Sequence, residues 1–326
     1  MADIGVCVVI AARNASGTIS RAINSALDEK EVTEVFVVDD ASTDNTYEVA
    51  RNCQDGTNRL KVCRLDENQG PSKARNVAID GSNSPFIAIL DADDFLLPGR
   101  FEALFTDRDW DIIADNVAFI SDDEVDGADF SVPLGHRISP RFLDAAAFVE
   151  GCISRSNRYK GELGFLKPIV SRAFLDRHQL RYSEDMRLSE DYDLYVRALV
   201  AGATFKLAAG CYYVAVERTN SLSVVHGASE LTAVDVAMGR LRAMAPSTDL
   251  ALQGALRRHH VQISRKRRHR AVLAKKRHIG VWRAMRIELG SIGQIAELLV
   301  DVLGDKLRAL RPVGSHSGLS GWRFLL

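Results

Sequence analysis

The chain has 326 residues, of which 46% are hydrophobic and 26% charged, and this composition indicates a large globular domain with room for an appendage. Five scattered cysteines without Cys-x-x-Cys spacing argue against a disulfide framework and a zinc knuckle, and they favour a reducing cytosol. The first apolar run is short and has no basic leader, so we expect a strand there rather than a signal peptide. No stretch reaches the roughly 18 apolar residues of a membrane span.

The formal net charge of −1 conceals two oppositely charged regions. Between Arg257 and Arg286 there are twelve Lys or Arg residues and no Asp or Glu, whereas acids outnumber bases in the chain before Leu250. Such a division of charge predicts two functional units. We place them at residues 1–228 and 229–326, the second being helical and basic.

Apolar segments alternate with amphipathic segments along the first half of the chain. This βα rhythm predicts an α/β fold with a mostly parallel sheet flanked by helices. The predicted strands are Val6–Ala11, Val35–Asp39, Leu60–Leu65, Phe86–Leu90 and Asp111–Ile120. The predicted helices cover Ile19–Leu27, Thr46–Cys53, Ser72–Ala78, Leu143–Ile153 and Glu190–Val200, and the Asp-, Gly- and Pro-rich stretch Ser121–Pro140 is predicted to be a loop.

Polar clusters follow three of the predicted strands, at Ala12–Asn14, Asp39–Asp44 and Asp91–Asp94. In open α/β sheets, ligands bind beyond the carboxyl ends of the strands, so the three clusters predict one site. Three carboxylates within four residues repel one another and resist burial, and a divalent cation that also holds phosphates is the sharpest explanation. Neither a Gly-x-Gly-x-x-Gly fingerprint nor a Walker loop is present, which leaves phosphate binding to a metal and basic side chains.

Five ordered sequence elements resemble the successive signatures of family-2 glycosyltransferases with a GT-A fold. Together they span roughly residues 4 to 225, so the basic tail lies outside the resemblance. A single Asp-x-Asp match is weak, but five elements in order on compatible secondary structure are strong. The elements are Val8–Asn14, Val37–Asp44, Asn68–Asn76, Leu90–Asp94 and Leu188–Leu194.

The resemblance implies a nucleotide site in the first half of the chain. Asp39 matches the aspartate that accepts a hydrogen bond from uracil, and Ala11 and Arg13 match the strand edge around the nucleoside. Arg75 matches a position that reaches the nucleotide. Asp40 is a further candidate, although it and Asp44 are equally suited to capping the turn and the following helix.

The resemblance also implies a metal site and a general base. Asp93 matches the direct ligand of a divalent cation, Mn²⁺ or Mg²⁺, while Asp91 matches either a second ligand or a contact to the ribose. Asp94 is expected to be a polar start to the next turn rather than a ligand. Asp191 matches the base that removes the acceptor proton, with Glu190 in a supporting role.

The predicted activity is a metal-dependent, inverting transfer of a hexose from a UDP-sugar to an acceptor that is either a saccharide or a saccharide linked to polyprenyl diphosphate. The neighbourhoods of Lys167 and Asp191 resemble bacterial enzymes of the succinoglycan type, so surface or exopolysaccharide biosynthesis is the expected setting. The chain lacks the Gln-x-x-Arg-Trp pattern of processive synthases, which favours one sugar per encounter. The alternatives are a sugar-nucleotide nucleotidyltransferase and a non-enzymatic, basic-tailed protein that binds membrane or nucleic acid.

The basic tail predicts contact with an anionic membrane. Arg265–Arg270 and Lys275–His278 form basic helical faces interrupted by apolar residues and Trp282. The expected location is cytoplasmic, at the inner face of the membrane. A solvated helical face and nonspecific attraction to nucleic acid are the alternatives for the tail.

Overall fold

The computed structural model describes residues 4–154, 162–218, 227–291, 293–300 and 321–326. The chain divides into two units, of which the first comprises Met1–Thr219 with Ser320–Leu326 and the second Asn220–Leu319. This division differs from the predicted one in the boundary, which was expected after residue 228, and at the final residues. Residues 321–326 belong to the first unit because they form a strand that pairs with its sheet.

The first unit is built on one mixed sheet, which has ten strands in the described residues. Their order is β3-β2-β1-β4-β8-β6-β9-β5, with β7 on β9 and β10 on β6. The strands are β1 (Val6–Ala12), β2 (Val32–Asp39), β3 (Leu60–Arg64), β4 (Phe86–Ile89), β5 (Phe95–Leu96), β6 (Ile112–Ser121), β7 (Arg141–Leu143), β8 (Ile169–Ser171), β9 (Phe205–Glu217) and β10 (Arg323–Phe324).

Eight helices accompany this sheet in the described part of the first unit, and two short 3₁₀ segments, Asp122–Gly127 and Leu163–Phe165, lie between them. The helices are α1 (Ile19–Leu27), α2 (Thr46–Arg51), α3 (Pro71–Gly81), α4 (Arg100–Leu104), α5 (Ser131–Gly135), α6 (Ala145–Cys152), α7 (Arg172–Arg177) and α8 (Glu190–Val200). α1 shows the pattern that makes such a helix pack on a sheet, since its buried residues recur at helical spacing: Ile19, Ala22, Ile23, Ala26 and Leu27.

The parallel register of the first strands determines where the site forms. Ala12 of β1 pairs with Asp39 of β2, and Val9 of β1 pairs with Ile89 of β4. β1 is buried almost throughout and rich in β-branched residues, which suits a strand covered on both faces. The strands therefore end at one edge of the sheet, and the polar residues that follow them meet there.

The predicted elements of the first half are confirmed in type, with small shifts at their ends. α8 begins and ends at the residues that were predicted, and β2 begins three residues earlier than predicted. Ser121–Pro140 is not a plain loop, since it contains the first 3₁₀ segment and α5. The reason is apolar anchoring: Val125 packs into a cluster with Phe95, Val216 and Trp322.

The second unit is helical in its described residues, as predicted. Its helices are α9 (Ala228–Met244), α10 (Leu250–Ile279) and α11 (Val281–Glu288). α10 packs against both α9 and α11, and a small apolar cluster of Val272, Ala284, Met285 and Leu298 joins α10 to α11 and to the segment after α11. Across the described part of the chain, no helix has both the length and the hydropathy that crossing a bilayer requires.

Candidate active site

Asp39 lies at the end of β2 and is completely buried. Its Oδ1 accepts hydrogen bonds from the backbone N–H, at 3.3 Å, and the hydroxyl of Ser42. Its Oδ2 lies 3.2 Å from Arg64 Nε, within ion-pair range, but accepts no hydrogen bond from the described residues. A buried acceptor without a donor is costly, so Oδ2 is suited to an N–H group of a ligand such as a pyrimidine base.

Asp40, next along the chain, has both carboxylate oxygens engaged by backbone. Oδ1 accepts from the N–H of Gln69 at 2.7 Å, and Oδ2 accepts from the N–H of Gly70 at 2.8 Å. Gly70 has φ +92° and immediately precedes the first turn of α3. Asp40 therefore fixes the start of α3, as the capping alternative expects, and its role in nucleotide binding stays a prediction.

The loops after β1 and β2 are locked together around Asn14. Its backbone N–H donates to Ser42 Oγ at 2.9 Å, and its side-chain oxygen accepts from the backbone N–H of Thr43 at 2.9 Å. Arg13 is exposed beside this junction, and Ala11 is partly buried on the strand. The structure thus brings the predicted residues Ala11, Arg13 and Asp39 to the same edge of the sheet.

Arg75 on α3 joins three acidic residues that come from two separate motifs of the sequence. Its Nη2 donates to Asp91 Oδ1 at 3.0 Å, and its Nη1 donates to Glu190 Oε1 at 2.7 Å and to Asp191 Oδ1 at 3.4 Å. The Arg75 side chain is only 5% exposed. It was predicted to reach the nucleotide, but here its guanidinium positions carboxylates after β4 and on α8.

Lys167, in the loop before β8, completes this cluster. Its Nζ lies 2.8 Å from Asp91 Oδ2 and 2.9 Å from Asp191 Oδ2. Burial opposes the charged form, but Asp191 and Asp91 outweigh it and raise the pKa of the Lys167 ammonium above its usual range. The Lys167 carbonyl accepts a hydrogen bond from Arg100, whose guanidinium is buried against Asp115. A second buried pair therefore holds the lysine in place.

Asp91 is held as a carboxylate by these two cations. Burial opposes its ionisation, but Lys167 and Arg75 outweigh that effect and keep the pKa of Asp91 below its usual range. Both of its oxygens are engaged, one by each cation. A metal ion at Asp91 would share these oxygens with Arg75 and Lys167, and the role of Asp91 as a metal ligand stays a prediction.

Asp93 differs from both of its acidic neighbours. Burial and the charge of Asp91 raise the pKa of Asp93, and the charge of Arg218 partly opposes them. Apart from its own backbone N–H, no described residue donates a hydrogen bond to the Asp93 carboxylate. Within the described ranges, no group of three or more acidic, His or Cys side chains is placed to hold a metal ion. A hard cation at Asp93 would therefore take its remaining ligands from phosphate oxygens and water, as such cations do beside a nucleotide.

Asp94 is already satisfied by protein groups. Tyr213 Oη donates to its Oδ2 at 2.7 Å, and the backbone N–H of Val216 donates to its Oδ1 at 2.9 Å. Both donors belong to β9, so the carboxylate ties the end of β4 to that strand. These contacts leave Asp94 a structural residue rather than a ligand.

Arg218 follows β9 and was not predicted as a site residue. Its Nε and Nη2 are buried without a hydrogen-bond partner among the described residues, and its charge acts on Asp93. Guanidinium donors left unpaired beside a carboxylate cluster are suited to an anionic ligand. Neither Lys167 nor Arg218 stands out locally in sequence, since each is a lone basic residue in an otherwise apolar or polar stretch.

The site therefore has two ends at one edge of the sheet, one suited to a nucleotide and one suited to accepting a proton. Asp39 Oδ2 is a buried acceptor without a hydrogen-bond donor, and Arg218 carries buried donors without an acceptor near the Asp93 carboxylate, a combination suited to a nucleoside diphosphate. Asp191 lies at the first turn of α8, between Arg75 and Lys167, with 7% of the residue exposed. Arg75 and Lys167 fix the orientation of this carboxylate, and its position beside the residues suited to the diphosphate makes it the candidate acceptor of a hydroxyl proton.

Comparison with known proteins decides the family. A model described as glycosyl transferase family 2 matches residues 7–142. Over 319 residues the chain is 46% identical to the succinoglycan biosynthesis protein ExoU of Rhizobium meliloti, which covers 96% of this chain and 91% of the relative. The chain belongs to glycosyltransferase family 2. It is also 36% identical over 224 residues to the ExoO protein of the same organism, which covers 68% of this chain and 63% of that protein.

Solved structures confirm the GT-A fold of this family-2 glycosyltransferase. Staphylococcus aureus TarS 1-349 in complex with UDP-GlcNAc matches with a TM-score of 0.59 at 19% identity, covering 94% of this chain and 82% of that one. The mannosyltransferase PcManGT of Pyrobaculum calidifontis, in complex with GDP-Man and Mn²⁺, matches with a TM-score of 0.54 at 15% identity, covering 94% and 81%. The predicted family, fold and enzyme class are confirmed, and the nucleotidyltransferase and non-enzymatic alternatives are set aside.

Proposed function

We propose that this glycosyltransferase moves a hexose from a UDP-sugar to a hydroxyl of a saccharide acceptor, with inversion at the anomeric carbon. The observation that carries the proposal is the meeting of Asp191 with Asp91 across Arg75 and Lys167, at the edge where Asp39 and Asp93 also lie. This arrangement puts a proton acceptor next to the residues suited to the nucleotide. The TarS complex with UDP-GlcNAc supports a uridine donor.

The donor is expected to lie with its base at Asp39 and its diphosphate between Asp93 and Arg218. Asp39 Oδ2 would accept the imide N–H of uracil, a group that adenine lacks and that guanine replaces with the N1–H of a larger, bicyclic ring. Asp93 would hold a divalent cation, as the PcManGT complex with Mn²⁺ also suggests, and this cation would neutralise charge on the departing diphosphate. Arg218 would donate its unpaired N–H groups to phosphate oxygens from the opposite side.

The transfer is a single displacement. The acceptor oxygen forms a bond to the anomeric carbon while the bond from that carbon to the β-phosphate oxygen breaks, so UDP leaves with the electron pair. The acceptor proton passes to Asp191. Lys167 and Arg75 orient the two oxygens of Asp191, and Glu190 holds Arg75 from the other side at 2.7 Å. Each side chain is thus fixed before substrate arrives, which lowers the cost of reaching the transition state.

The acceptor is proposed to be a growing bacterial exopolysaccharide unit on a polyprenyl diphosphate. Support comes from the names of the two Rhizobium meliloti relatives, both called succinoglycan biosynthesis proteins. The use of a nucleotide sugar favours a cytoplasmic location, and the five cysteines agree with a reducing compartment because all of them are free thiols.

A donor screen tests this proposal. The full chain is incubated with UDP-glucose, UDP-galactose, UDP-GlcNAc and GDP-mannose, with Mn²⁺ or Mg²⁺, and nucleoside diphosphate release is measured with and without saccharide acceptors. We expect turnover with UDP-sugars. Nuclear magnetic resonance of the product should show that the anomeric configuration of the new linkage is inverted relative to the donor. A preference for GDP-mannose would contradict the uracil role of Asp39, and retention at the anomeric carbon would contradict the single displacement.

A further inference from the structure

The corner between α10 and α11 exposes an unusual set of apolar side chains. Trp282 is 81% exposed, Ile287 57%, Val281 47% and Ile279 38%. Gly280, with φ +80°, ends α10 and turns the chain directly into α11. Exposing four large apolar groups over nine residues is costly in water, so this corner is suited to a partner.

α11 faces outward with a mixed apolar and basic surface. Its inner side packs through Ala284 and Met285, which are buried in the small cluster with Val272. Trp282, Arg286 and Ile287 are exposed, so they lie on the side of α11 that faces water. The large Trp282 ring is therefore exposed to water rather than packed within the second unit.

Basic side chains surround these apolar residues, and several have no acidic partner. Lys275 pairs with Glu288, but Lys276, Arg277, Arg283 and the other exposed bases of the corner make no ion pair with any described acid. An aromatic ring and aliphatic groups ringed by free cations match the headgroup and upper acyl region of an anionic bilayer. We call this surface, the exposed side chains of residues 275–287, the corner patch.

We propose that the corner patch docks the enzyme on the surface of an anionic phospholipid bilayer, with Trp282 entering the headgroup region. Nucleic acid is the less favoured partner, because binding to a phosphate backbone gains nothing from exposed Ile279, Val281 and Ile287. The corner patch is a better candidate for membrane docking than the whole basic tail. Upstream cations in α10 are engaged within the unit, as in the pairs Arg267–Asp235 and Arg268–Glu297.

Vesicle flotation with the full chain tests the docking. We expect binding to vesicles of mixed phosphatidylcholine and phosphatidylglycerol, weakened by salt, and little binding to phosphatidylcholine alone. The double variant Lys276→Ser/Arg277→Ser should lower the partition coefficient about thirtyfold, since each basic residue near an anionic surface contributes about a fivefold gain. The matched control, Lys30→Ser/Arg177→Ser, removes the same charge from exposed positions of the catalytic unit and should bind as the parent does.

Tryptophan fluorescence tests the insertion separately. The chain has three tryptophans, and Trp110 and Trp322 are both 7% exposed, so a change on adding vesicles reports Trp282. We expect a blue shift and quenching by brominated lipid. Trp282→Ser should weaken binding about tenfold, whereas Leu250→Ser, at a residue that is 80% exposed, should not.

Three results would overturn the docking: equal binding to neutral vesicles, an unchanged Trp282 signal in the bound state, or binding to a nucleic acid homopolymer that outcompetes the vesicles. None of these measurements needs a donor sugar. A failed donor screen would therefore leave the docking intact, and absent vesicle binding would leave the proposed transfer intact.

Discussion

Nζ of Lys167 lies 2.9 Å from Oδ2 of Asp191, and the same ammonium lies 2.8 Å from Oδ2 of Asp91. One buried lysine thus links the end of β4 to the first turn of α8. Removing one member of such a buried cluster leaves uncompensated charge, so its parts depend strongly on one another.

Asp191→Asn should lower kcat by about a hundred- to ten-thousandfold, because the amide keeps the shape of the carboxylate but does not accept the acceptor proton. UDP affinity should stay within about twofold, since Asp191 lies at the acceptor end of the site. Steady-state kinetics and calorimetric titration with UDP measure the two effects. Asp80→Asn, at an exposed position on α3, is the matched control. Unchanged turnover in Asp191→Asn would remove this residue as the base.

Lys167→Met should shift the pH dependence of the enzyme as well as its rate. Burial raises the pKa of Asp91, and Lys167 and Arg75 together lower it, so loss of Lys167 should move that pKa upward. A carboxylate needed in its charged form then loses activity at a higher pH than before. We expect the acidic limb of the kcat/KM profile to move to higher pH, with Lys167→Arg restoring most of it. An acidic limb that stays in place would contradict the role of Lys167.

Arg218→Met should weaken binding of UDP by about ten- to hundredfold, the loss expected for charge-assisted hydrogen bonds to phosphate. Uridine should bind as tightly as to the parent, because the nucleoside lacks the phosphates that Arg218 would contact. Calorimetry with the two ligands gives the comparison, and Arg177→Met, at an exposed helix end, controls for loss of charge. Equal weakening of UDP and uridine would point to a general structural defect instead.

Arg100→Met should destabilise the catalytic unit by about 3–5 kcal/mol, because it leaves Asp115 buried and unpaired. The two side chains are each 1% exposed, and Nε and Nη2 of Arg100 donate to Asp115 Oδ1 at 3.0 and 2.9 Å. Replacing both, in Arg100→Met/Asp115→Leu, should recover part of the loss. Denaturant unfolding measures each change. A double variant as unstable as the single one would show that the ion pair is not the cause.

His259 on α10 should make the second unit less stable in mild acid. Burial, with Lys266 and His260, lowers its pKa to about 4 from its ordinary value of 6.5. Between these values the unfolded chain binds a proton that the folded chain does not, so unfolding free energy falls as pH drops from about 6.5 to about 4, by about 3 kcal/mol in total. His259→Gln should flatten this dependence in denaturant unfolding at several pH values. His278→Gln, at an exposed position, should leave the slope as it is.

The parts of the fold that sequence reasoning found are those with local signals. α8 was predicted to its end residues because its apolar spacing and acidic first turn both lie within it. The carboxylates Asp39, Asp91 and Asp191 were likewise found through short motifs around each. Asp40 illustrates the limit, since its hydrogen bonds to Gln69 and Gly70 depend on how a later loop returns to β2.

The segment around Lys167 was noted only through its resemblance to succinoglycan-type enzymes, and no local signal predicts the contacts of Lys167 or of Arg218. Lys167 reaches the site because β8 inserts antiparallel between β4 and β6, a pairing that periodicity does not encode. Arg218 depends likewise on where β9 ends, and β9 pairs in parallel with β6 and antiparallel with β5. Position in a mixed sheet, rather than residue pattern, brings both cations to the carboxylates.

The pairing of β10 with β6 has a consequence for how the protein is made. Asn116 exchanges hydrogen bonds with the backbone of Leu326, 210 residues later, at 2.9 and 3.0 Å, and Trp322 packs into the same cluster as Val125. During synthesis the earlier residues emerge first and begin to fold. Ala118 and Phe119 of β6 therefore lack their β10 partner until the whole helical unit has left the ribosome. The helical unit is thus made while the sheet of the first unit still lacks β10.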